Sequence, residues 1–81
     1  MMDLYTRIEA TANEYFDSTC KHIAYRAVKG ETIPACLVAD FKRIKQDRRR
    51  ISDIRIMLQG GAENALLIAL KELKNLTYYL D

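Results

Sequence analysis

The chain reads as an all-α protein: a three-helix antiparallel bundle with two long helices and a shorter, very apolar third, completed by dimerisation. Three observations predict this. Apolar residues recur at steps of three and four over long stretches, the spacing of one helix face. Two glycine-containing breaks, Gly30 to Pro34 and Gly60-Gly61, cut those stretches into three. The last stretch is apolar on every side, and a helix of that kind needs burial all round.

The first helix is expected over residues 3–29. Asp3 can cap it by accepting a bond from a free amide of the first turn. Tyr5, Ile8, Ala12, Tyr15, Phe16, Cys20 and Ile23 supply apolar steps, while Arg7, Asn13, Glu14, Asp17 and Lys21 face water. The tyrosines fit core packing with their hydroxyls at the rim. Lys29 complements the carboxyl end of the helix dipole, and Gly30 can take the left-handed conformation that ends a helix.

The second helix is expected over residues 34–59, opening on Pro34, whose missing amide hydrogen costs nothing in a first turn. Leu37, Ile44, Ile51 and Leu58 form a seam spaced by seven, with the polar Asp40 and Asp47 between them. Ser52 could cap a new helix, so a bend is conceivable there. Gly60-Gly61 frees the backbone for a reversal. The third helix is expected over residues 62–79, with Glu63 suiting the dipole of its first turn. Its apolar run, residues 65–70, continues through Leu73, Leu76, Tyr78, Tyr79 and Leu80. Short turns between three helices favour antiparallel neighbours. Three helices in one small chain do not easily bury the third around its whole girth, which favours a symmetric dimer.

The totals narrow the class of function. At 81 residues the chain has the size of one domain. Its 49% apolar content is ample for a core and excludes disorder. A chain this short buries only about 60–65% of its unfolded surface, so its stability is marginal. The net charge of +2 decides nothing. Its distribution does: residues 31–60 hold four acids and seven bases, whereas the flanking thirds are close to balanced. The N-terminus lacks a secretory pattern, and no apolar run reaches membrane-spanning length. A cytoplasmic location is expected.

Chemistry-bearing motifs are absent. Cys20 and Cys36 form no C-x-x-C pair and read as buried free thiols, with one disulfide as the alternative in an oxidising compartment. His22 lies two residues from Cys20, so the two side chains point apart on a helix. No metal set, cofactor motif, small-molecule site or catalytic constellation is expected. Two surfaces remain for partners. One is the basic stretch, with Lys42, Lys45 and Arg49 in line and Arg43 and Arg50 beside them. Its guanidinium groups suit carboxylate or phosphate. The other is the tail, with Leu76, Tyr78 and Tyr79, which either covers the bundle's open end or joins an interface. These features predict a small non-enzymatic protein–protein interaction module: an adaptor, a small chaperone or an inhibitor. The alternative is a nucleic-acid-binding regulator that uses the basic face of the second helix. Its small net charge and the interrupting Asp40, Asp47 and Asp53 weigh against it.

Overall fold

The computed structural model describes the backbone of residues 2–80 and the side chains of residues 4–80. Among the described residues the chain is all-helical, without strands. Helix α1 spans Met2–Val28, α2 spans Ala35–Gly60 and α3 spans Glu63–Asn75, followed by one 3-10 turn at Thr77–Leu80. The cap expected at Asp3 lies outside the described side chains.

The first turn is built as its residues require. Gly30 takes φ +73°, a conformation that strains any residue with a Cβ. With Gly30 in place, the Glu31 amide donates to the Arg26 carbonyl at 2.9 Å and the Gly30 amide to the Ala27 carbonyl at 3.1 Å. This crossed pair satisfies carbonyls that the helix end would otherwise leave open. Pro34 stands just before α2, with extended backbone at ψ 143°. Its carbonyl accepts the amides of Leu37 and Val38, which starts the helical ladder. α2 then runs uninterrupted through Ser52 to Gly60, and Gly61 ends it at φ +71°.

α2 is the central helix and packs against both α1 and α3. The core gathers Tyr5, Ile8 and Ala12 of α1, Ile51 and Ile54 of α2, and Ala69 and Leu73 of α3. Leu76 and Tyr79 close it from the tail, and Ile44 is buried further along the seam. Burying a side chain such as Ile8 or Leu73 stabilises the fold by roughly 1.5–3 kcal/mol each.

The helical pattern of the tail runs on to residue 79, but α3 stops at Asn75. The Leu76 amide bonds to the Leu73 carbonyl at 3.0 Å, three residues back, and the Thr77 hydroxyl takes the Lys74 carbonyl. The tighter winding turns Tyr78 and Tyr79 toward α2, where both hydroxyls find Asp47.

The shape follows from unequal lengths. The 27 residues of α1 span about 40 Å and the 13 of α3 about 20 Å. The chain measures 51 × 18 × 17 Å. Its radius of gyration is 15.1 Å, against roughly 12 Å for a compact domain of this length. α3 therefore backs only part of the α1–α2 pair, and the Gly30 end stands as two helices.

Helix three is not buried all round within one chain. Ala69 and Leu73 are enclosed, but Leu67 is 60% exposed and Ile68 50%. These two, with Leu70, Lys71 and Lys74, edge an open hollow on the outer side of α3.

Candidate functional site

At 3.6 residues per turn, successive residues of α2 step round by about 100°. Lys45, Arg49 and Ser52 therefore share one side, flanked by Arg48 and Arg55. The structure places these five against Glu9 and Asn13 of α1 and beside Ile51, around an open groove of about 480 Å³.

One side chain fixes the groove's middle. Arg48 Nε donates to Asn13 Oδ1 at 3.1 Å, and its guanidinium lies 4.1 Å from the centre of the Phe16 ring. Phe16 in turn stacks on Phe41, with centroids 5.6 Å apart and planes inclined at 27°. At the far end Arg55 Nη1 stands 3.9 Å from Glu9 Oε2, which also accepts the Tyr5 hydroxyl at 2.5 Å. Lys45 and Arg49 are exposed, and no carboxylate among the described residues comes within 4.0 Å of either.

The five bases read as one stripe in the sequence are not one surface. Lys45 and Arg49 line the groove. Lys42 is exposed one turn nearer the Gly30 end. Arg43 lies toward the tail, beside Tyr15, Tyr78 and Tyr79, with its guanidinium 3.8 Å from Asp40. Arg50 lies toward α3 with Asp53 and Glu72. The reason is rotation: Arg50 is roughly 140° round the helix from Lys45, so the two cannot lie side by side. Arg48 and Arg55 take their places in the groove, as the same rotation could have shown.

Beyond the Phe16–Phe41 stack the same side becomes apolar. Cys20, Ile23 and Ala24 of α1, Ile33 of the turn, and Val38 and Phe41 of α2 line an open hollow of about 320 Å³.

The tail residues separate as well. Leu76 is 1% exposed and Tyr79 5%, so both belong to the core, whereas Tyr78 is 45% exposed. The feature missed in the sequence is Asp47, buried at 4% exposure within the seam. Its Oδ2 accepts the hydroxyls of both Tyr78 and Tyr79, the latter at 2.5 Å. The Tyr79 ring also meets Tyr78 at 4.6 Å and Tyr15 at 6.0 Å. Burial, then the bond to Asp47, pushes both phenols above their ordinary pKa. Among the described residues no buried side-chain nitrogen or oxygen lacks a partner.

Tyr5 shows the same effect at the other end of the core. Burial first, and then its bond to Glu9, raises its pKa from 10.0 to about 12. A phenol held protonated in the fold stabilises it fully below the unfolded pKa of 10.0, and that contribution drains away as pH rises toward about 12. The urea midpoint should therefore fall between about pH 9.5 and about pH 11.5, and fall less in Tyr5→Phe, which has no proton to lose. Identical pH slopes for the two proteins would contradict the burial of this hydroxyl.

The remaining candidates stay apart. Both cysteines are free; Cys20 is half-buried, and Cys36 is exposed rather than buried as expected, because it sits on the outer side of the first turn of α2. His22 is exposed. No group of three potential metal ligands occurs among the described residues. No helix among them is long and apolar enough to cross a membrane.

The fold and these surfaces define a small, elongated, all-α helical bundle. No protein-family model, curated protein or solved structure matches the chain.

Proposed function

We propose that the chain is a small, non-enzymatic, cytoplasmic protein–protein interaction module, of adaptor, chaperone-like or inhibitor type. It acts through the side of the antiparallel α1–α2 pair that α3 leaves open. The observation that carries this reading is the open apolar hollow of Ile23, Val38 and Phe41 on that side, continuous with a polar groove. Apolar surface beside a polar rim marks a protein contact more often than a reaction site. Free thiols suit a reducing compartment. We also propose that the outer face of α3, with Leu67 and Ile68, pairs with a second copy, which would bury the apolar girth that one chain leaves bare.

The second reading, nucleic-acid binding, is favoured by Lys45, Arg48, Arg49 and Arg55 around one groove. One experiment separates the readings: a photo-crosslinking side chain placed at Val38, at Leu67, or at the exposed Glu14 as control. Val38 should give a discrete adduct with another protein. Leu67 should give a self-adduct of twice the 9.4 kDa chain mass. Glu14 should give neither. Nuclease-sensitive adducts would favour the second reading, and no protein adduct at Val38 or Leu67 would refute the first.

A further inference from the structure

The basic groove and the apolar hollow are one trough. Phe41 walls the hollow and stacks on Phe16, and Phe16 carries the guanidinium of Arg48, which lines the groove. No residue of α3 lines either one: α3 meets α2 on another side, where Arg50, Asp53, Ile54 and Met57 come together with Glu72. The trough therefore has two chemistries in sequence, cationic toward Arg55 and apolar toward Val38.

We propose that this trough binds one amphipathic, acidic helix of a partner protein. The proposal rests on the interaction-module reading and adds the partner's chemistry. Its carboxylates would lie over Lys45 and Arg49, and its apolar side chains would fill the hollow at Val38 and Phe41. Three observations fix the occupant.

The first is charge. Four bases meet a single acid, Glu9, around the groove, and Lys45 and Arg49 have no carboxylate within 4.0 Å among the described residues. Complementary potential across an interface selects the partner and speeds its arrival. The second is length. Val38 and Arg55 lie on one continuous helix about 26 Å apart, the span of a partner helix of roughly 17 residues. The third is the hollow itself. A phosphate backbone gains nothing from Ile23, Val38 and Phe41, whereas a helix offers apolar side chains at steps of three and four. A second copy of the chain fits poorly. It carries thirteen bases against eleven acids, and the Ala12 of its acidic stretch, residues 9–17, is already buried in its own core.

The test is a displayed library of random peptides of about 18 residues, selected on the full chain. The comparison protein is Lys45→Glu/Arg49→Glu, whose two positions are exposed and whose helicity is checked by circular dichroism. Enriched peptides should carry Asp or Glu toward one end and apolar residues at helical spacing toward the other. Their affinity should fall at least about ten-fold for the double variant and weaken as salt rises. They should also suppress the Val38 crosslink.

Failure to enrich, enrichment without acidic bias, binding indifferent to the double variant, or displacement by duplex DNA would each overturn the proposal. Any of these together with a protein adduct at Val38 would leave the interaction module standing and remove only the acidic helix. Absence of a protein adduct at both Val38 and Leu67, with no peptide present, would remove the module itself.

Discussion

Leu73→Ala is expected to destabilise the fold by about 3–5 kcal/mol, measured by urea unfolding followed through helical circular dichroism. Leu73 is fully enclosed, in contact with a core that draws on all three helices and the tail. Removing its three outer carbons forfeits their transfer energy and leaves a cavity among residues that can only partly close on it. A chain of 81 residues has roughly 4–12 kcal/mol of stability in total, so this one change unfolds a large share of it. Leu67→Ala, on the same helix but 60% exposed, should move the monomer's stability by no more than about 0.5 kcal/mol. Equal losses at the two positions would mean that α3 does not present the face described.

Asp47→Ala is expected to cost about 2–4 kcal/mol and to release the tail from α2. A carboxylate this deep is tolerated because two phenols point their protons at the same oxygen. Without it the buried Tyr79 hydroxyl keeps only the Tyr78 hydroxyl beside it, whereas Tyr78 can turn to water. Tyr79→Phe should accordingly cost about 1.5–3 kcal/mol, since it strips a bond to a charged group, and Tyr78→Phe less. The double variant Asp47→Ala/Tyr79→Phe should lose less than the two single losses combined, because the two groups are coupled. Strict additivity in that cycle would show that the contact carries no energy.

The helices were legible because their signals are local. Gly30 and Gly61 are where the backbone must take positive φ, and the steps of three and four through α1 and α2 need no partner to be read. Asp47 was not legible in the same way. It sits in a run of bases and looks like one more solvated charge, and its partners lie 31 and 32 residues further on. The available signal was its register: it falls three after Ile44 and four before Ile51, on the seam itself, where a charge needs a partner. The end of α3 was hidden for the same reason. Leu76 to Leu80 keep a helical pattern, and the tighter winding there goes with contacts to Asp47 that no local signal announces. The sorting of the bases, by contrast, follows from rotation alone.

The Asp47 contact also joins parts of the chain that lie far apart in sequence. α1 and α2 are neighbours in sequence, joined by one short turn, so their pairing closes a modest loop and can form early. The tail must meet Tyr15 of α1 across most of the chain, and contacts of that span tend to form late. With the tail removed, Asp47 would face water at no cost; seating Tyr78 and Tyr79 exchanges that solvent around one carboxylate for two phenolic protons.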